Sequence, residues 1–213
     1  MTEKDYKSLL WLHVLTAIGM ATCVITGQIK ISLEIFSLHL QFPASNLFFA
    51  FLTFPVTDII ADIYGKKEAN TTVWIGFASQ IIAIMIIEIC MLFPGDSSKL
   101  VPFHVGGWTV LTGSAIAYLA AQFWDVAFFH WIKENVTGDK HLWVRNNLST
   151  CSSQLINSTL FIAIVFGLES LPIMLASSIL VKWTIALLDT PFVYLGKYFL
   201  TKQKQGSHVR NYA

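Results

Sequence analysis

The feature that most restricts this chain is the placement of its charges. Long apolar stretches recur six times, and most Lys, Arg, Asp and Glu residues sit in the short connections between them. A helix that crosses the hydrocarbon core of a bilayer needs about 20 predominantly apolar residues. Six windows meet that need: Leu9–Gln28, Ser45–Tyr64, Thr71–Phe93, Trp108–Trp131, Leu142–Gly167 and Leu171–Leu200. Turn signals separate them at Gln41-Phe42-Pro43, Gly65-Lys66-Lys67, Pro94-Gly95-Asp96, Thr137-Gly138-Asp139 and Glu169-Ser170-Leu171-Pro172. Connections this short leave no room for a soluble domain. The expectation is an all-α polytopic membrane protein, a bundle of six transmembrane helices. Residues 1–213 form one transmembrane domain, with a polar head at 1–8 and a basic tail at 198–213.

Composition agrees. Charged residues make up 13% of the chain, about half the usual quarter in soluble domains. A net charge of +1 gives no footprint for nucleic acid. The head Met1–Lys7 enters the first window without a small-residue cleavage site, so that helix is expected to stay.

Orientation follows from the basic residues. The head, the connections at Lys66-Lys67 and at Lys133, Lys140 and Arg145, and the tail together with Lys197 before it hold eleven; the alternate connections hold Lys30 and Lys99. Eleven against two puts both termini in the cytoplasm.

Ionisable groups inside spans are costly and mark function by default. Here they are Asp58, Glu88, Asp125, Lys182 and Asp189, with Asp62 near a span end. Asp58, Asp125 and Asp189 each precede a lysine by eight residues: Lys66, Lys133 and Lys197. At 1.5 Å per residue each acid lies about 12 Å above its basic anchor. Three acids at one depth predict a polar layer around a shared cavity. Lys182 needs a carboxylate or carbonyl partner, and Glu88 and Asp189 are its candidates.

The fifth window carries ten polar residues between Asn146 and Thr159, so it cannot face lipid all round. Asn147, Thr150, Gln154 and Asn157 or Ser158 are read as one face. Gln154 reaches the depth of the acids. Trp124 and Phe123 adjoin Asp125 and could stack on a flat ligand, whereas Trp11, Trp108, Trp131 and Trp143 suit interfacial belts.

Enzyme signatures are absent: no H-E-x-x-H, no G-x-S-x-G and no P-loop. The six histidines and Cys23, Cys90 and Cys151 show no metal-ligand spacing. No cofactor and no metal are expected.

Four strings occur in order along the chain: Phe54-Pro55 with Thr57-Asp58-Ile59-Ile60 and Ile63-Tyr64-Gly65-Lys66-Lys67; Ala121-Gln122-Phe123-Trp124-Asp125-Val126; Trp143-Val144-Arg145-Asn146-Asn147 with Ser149-Thr150 and Ser153-Gln154; and Lys182 with Leu187-Leu188-Asp189-Thr190-Pro191. Together they resemble the signatures of the queuosine precursor transporter (vitamin uptake transporter) family. The likeness extends from the first span to Lys197. Asn157, where the family commonly has Asp, Asp62, where it often has Glu, and Ala121 in place of Gly depart from the pattern.

The resemblance implies a stand-alone carrier importing 7-deazaguanine bases (preQ0, preQ1 or queuine) across a bacterial inner membrane for tRNA queuosine modification. On that reading the substrate-binding residues are Asp58, Gln122, Trp124, Asp125, Asn147, Gln154, Asn157, Lys182 and Asp189. The chemistry is coherent. A guanine-like edge offers two adjacent N–H donors to one carboxylate, and its carbonyl suits Gln, Asn or Lys. The partners are this base and the bilayer, with a homodimer left open. The alternatives are a substrate-capture subunit served by a separate ATPase and, further off, an intramembrane enzyme.

Overall fold

The computed structural model describes residues 3–27, 29–35, 38–93 and 107–210. Its helices follow the six windows: α1 (Glu3–Thr26), the pair α2 (Ser45–Phe48) and α3 (Phe54–Ile63), α4 (Lys66–Leu92), α5 (Gly107–Ile132), α6 (Leu142–Val165) and α7 (Leu171–Arg210). Stretches within α1, α4 and α6, and the run Leu168–Lys202 through most of α7, are long and apolar enough to cross a membrane by length and composition. In α5 the apolar run is diluted by Gln122 and Asp125, both fully buried.

The polarity of the molecule is inverted. Leu, Ile, Phe, Met and Trp line the outside, among them Trp74, Ile82, Met85 and Ile86 on one flank of α4. Asp58, Gln80, Gln122, Asp125, Arg145 and Gln154 are buried, each at most 1% exposed. That arrangement suits lipid outside and polar partners inside.

The second span is broken. Between α2 and α3 a π turn covers Phe49–Thr53. Pro55, at the start of α3, has no N–H for the carbonyl four residues back and its ring crowds that carbonyl. Widening the preceding turn accommodates both effects. At the far end Gly65 adopts φ +91° between α3 and α4, a conformation that favours glycine.

The turn predicted at Gln41-Phe42-Pro43 is instead part of a strand. β1 (Lys30–Ile35) and β2 (Leu38–Pro43) form an antiparallel hairpin with Glu34 opposite His39, and those two side chains pair at 2.9 Å. Leu40 and Phe42 are buried while His39 and Gln41 are exposed, the alternation of a half-buried strand. The hairpin caps one end of the bundle, the hairpin end. The Gly65 and Gly138 turns mark the other, basic end. The expected connection at Pro94-Gly95-Asp96 lies outside the described residues.

Candidate functional site

A buried polar column runs between α5 and α6. α6 contributes Asn146, Ser149, Thr150, Ser153, Gln154, Asn157 and Ser158, all buried. Their spacing by three and four residues puts them on one helix face. α5 answers with Tyr118, Gln122 and Asp125, each at most 1% exposed.

Midway along this column are two acids. Asp58 on α3 adjoins the Asp125 carboxyl. Thr150 Oγ1 donates to Asp58 Oδ2 at 3.2 Å, and Ser153 Oγ donates to Asp125 Oδ1 at 2.9 Å. Asp125 Oδ2 is buried and, like both polar side-chain atoms of Gln122 and of Gln154, has no hydrogen-bond partner among the described residues. Leaving a buried polar atom unmet costs about 1–3 kcal/mol. Asp125 Oδ2 and the four amide atoms of Gln122 and Gln154 make a place where a polar guest would be stabilised.

Towards the hairpin end the column opens into a cavity of about 30 Å³ lined by Asn46, Phe49, Gln80, Tyr118, Asn157, Phe161 and Lys182 among others. Lys182 Nζ donates to Asn157 Oδ1 at 2.8 Å and to Ser158 Oγ at 2.9 Å. These, and not Glu88, are its partners. Gly76 makes room for Tyr118: a Cβ there would stand 2.2 Å from the phenol oxygen.

Towards the basic end the column closes on Asp62. Its carboxylate takes Arg145 Nη2 and pairs with Lys197 Nζ at 2.6 Å and Lys133 Nζ at 3.4 Å. Arg145, fully buried, also donates to the Gly138 carbonyl at 2.8 Å. Thus α3, α6, α7 and the π turn after α5 (Lys133–Thr137) meet at one carboxylate. Lys133 and Lys197, expected only as basic anchors, are two of its three cations. Sequence spacing had placed Asp62 at an interface; the signal for its role was the basic set Lys133, Arg145 and Lys197 at one depth.

Of the nine residues put forward from sequence, Asp58, Gln122, Asp125, Gln154, Asn157 and Lys182 line this column or its cavity. Trp124 does not. It is 47% exposed and donates Nε1 to Ser152 Oγ at 3.0 Å, because the residue before Asp125 is turned about 100° round the helix. Asn147 is displaced likewise: its Nδ2 bonds the Trp143 carbonyl and Thr190 Oγ1 at the α6–α7 seam, and Asn146 takes its place in the column. The Asp189 side chain lies outside the described residues. Asn46, Gln80, Tyr118 and Phe49, which line the cavity, were missed because none adjoins an intramembrane acid in sequence or belongs to the polar run of the fifth window.

Residues 43–196 match the family described as "Putative vitamin uptake transporter". This chain belongs to that family. As a member of the vitamin uptake transporter family it is a multi-pass membrane transporter and not an enzyme, as the four ordered strings implied. A "Probable queuosine precursor transporter" of Bacillus subtilis (strain 168) is 28% identical over 211 residues, covering 95% of this chain and 91% of that protein. No solved structure matches.

Proposed function

We propose that this transporter imports a queuosine precursor, a 7-deazaguanine base, across a bacterial inner membrane, with both termini in the cytoplasm. The observation that carries the reading is the buried pair Asp58–Asp125, with Gln122 and Gln154 beside it. Asp125 Oδ2 is buried without a hydrogen-bond partner among the described residues. A guanine-type edge brings adjacent N–H groups that a carboxylate accepts at charge-assisted strength. The amides of Gln122 and Gln154 can each donate and accept, which suits the ring carbonyl and ring nitrogens. The likeness to the Bacillus subtilis protein, spread over nearly the whole chain, supports the same substrate class.

Transport proceeds by alternating access. The Asp62 cluster holds the basic end shut, so a base enters from the hairpin end, lodges at the acid pair and leaves once Arg145, Lys133 and Lys197 release Asp62. Bacterial cells unable to make or take up queuosine precursors, expressing this chain alone and supplied with the base, should regain queuosine in their tRNA. Recovery only when an ATPase module is supplied would identify a capture subunit. No recovery in either case, with the protein present in the membrane, would refute the substrate.

A further inference from the structure

The cavity at the hairpin end is built from groups that the acid pair does not use. Asn46 comes from α2, Phe49 from the π turn, Gln80 from α4, Tyr118 from α5 and Lys182 from α7. Its polar lining is rich in donors. Asn46 Nδ2, Gln80 Nε2 and Tyr118 Oη are buried without a partner among the described residues. Two of its acceptors are already engaged, Gln80 Oε1 by Ser114 Oγ at 2.9 Å and Asn157 Oδ1 by Lys182 Nζ. A guest group here meets amide N–H, hydroxyl and amine.

Lys182 gives the cavity its charge. Nζ donates to two neutral oxygens and stands 5.2 Å from the centre of the Phe49 ring. Oxygen acceptors and an aromatic face are the surroundings of an ammonium group. Among the described residues no carboxylate pairs with it, whereas Arg145 and Lys197 both share Asp62. In its protonated form Lys182 attracts an acceptor and repels a second cation.

Size decides which part of a substrate goes there. At about 30 Å³ the cavity has room for roughly two or three waters, hence for the tip of a substituent and not for a bicyclic ring. Asp125 lies seven residues beyond Tyr118 on α5, about 10 Å along the axis, with Gln122 between them. A deazaguanine whose N–H edge meets Asp125 therefore directs its C7 substituent towards the cavity. We infer that Lys182 is the specificity-determining residue: the cavity accepts an uncharged, acceptor-tipped C7 group such as a nitrile and excludes a cationic aminomethyl group. The inference rests on the deazaguanine reading above and narrows it.

Uptake of labelled 7-cyano- and 7-aminomethyl-7-deazaguanine, normalised to protein in the membrane of cells lacking their own carrier, tests it. The wild type should favour the nitrile base by about tenfold or more. Lys182→Met, which keeps the length and removes the charge, should bring the ratio close to one. Asn157→Asp places a carboxylate where an oxygen now lies 2.8 Å from Nζ and should shift the ratio towards the aminomethyl base. A wild-type ratio near one, or a ratio unmoved by the substitutions, overturns the inference and leaves the deazaguanine reading standing. Should Lys182→Met fail to reach the membrane, an unchanged ratio in Asn157→Asp alone overturns it. Uptake of neither base by the wild type overturns both.

Discussion

Trp124 and Asp125 are adjacent in the chain and face opposite environments: Trp124 is 47% exposed on the lipid side of α5, and Asp125 is fully buried against Asp58. A step of about 100° per residue separates a lipid anchor from a core carboxyl. Trp124→Leu should therefore leave uptake near the wild-type rate. Asp125→Asn removes the carboxylate but fits the same space, so it should lower uptake by about tenfold or more per inserted molecule. Uptake normalised to membrane protein checks both, and equal losses from the two substitutions would contradict the placement.

The close approach of α4 and α5 gives a second expectation. A Cβ at Gly76 would lie 2.2 Å from Tyr118 Oη and 2.9 Å from Cζ. Gly76→Ala should cost about 1–3 kcal/mol, the usual penalty of overpacking, and push the Tyr118 ring out of the cavity. Tyr118→Phe removes the nearer contact and should restore part of the loss. Thermal unfolding in detergent of both single variants and the double variant measures this coupling.

Much of this architecture was legible in the chain because hydropathy reports membrane depth directly. The six windows followed from spacing, and of the three acids expected at one level Asp58 and Asp125 do meet, while the Asp189 side chain lies outside the described residues. What spacing could not supply is azimuth. Trp124 and Asn147 have the right depth but the wrong direction, since that depends on which helices pack against α5 and α6. The hairpin escaped because it lies between the first two windows, where the alternation of Ile31, Leu33, Leu40 and Phe42 is too short to register in a search for spans of about 20 apolar residues. Cavity residues such as Asn46 and Tyr118 lie apart in sequence from the acids and from the polar run of α6, so only packing reveals them.

Topology can be tested independently of the substrate. The turns at Gly65 and Gly138 and the basic tail occupy one end of the bundle, and Leu168–Ser170 and the hairpin occupy the other. With eleven basic residues flanking the first end and two the second, the positive-inside bias predicts that the first end faces the cytoplasm. A reporter inserted at Gly138 should read cytoplasmic, and one at Glu169 periplasmic. The reverse pair of signals would invert the direction of transport argued here.

The cluster on Asp62 makes the strongest demand on stability and on gating together. Arg145 is fully buried and Asp62 nearly so, whereas Lys133 and Lys197 are partly exposed. Arg145 therefore depends on this one carboxylate, while the lysines can turn to water. Asp62→Asn strands a buried guanidinium, and breaking one side of such a pair costs about 3–5 kcal/mol. Asp62→Asn with Arg145→Gln removes both charges and should recover much of that loss. The same substitutions separate a latch from a purely structural brace. If the cluster closes the basic end, a cysteine at Asn146, one residue beyond Arg145 in the column, should be shielded from a thiol reagent added on the cytoplasmic side in an otherwise unchanged Cys-free protein. Adding the double substitution should expose it, with labelling faster by about tenfold. Restored stability with unchanged labelling would mean that Asp62 braces the helices and that the path is closed elsewhere.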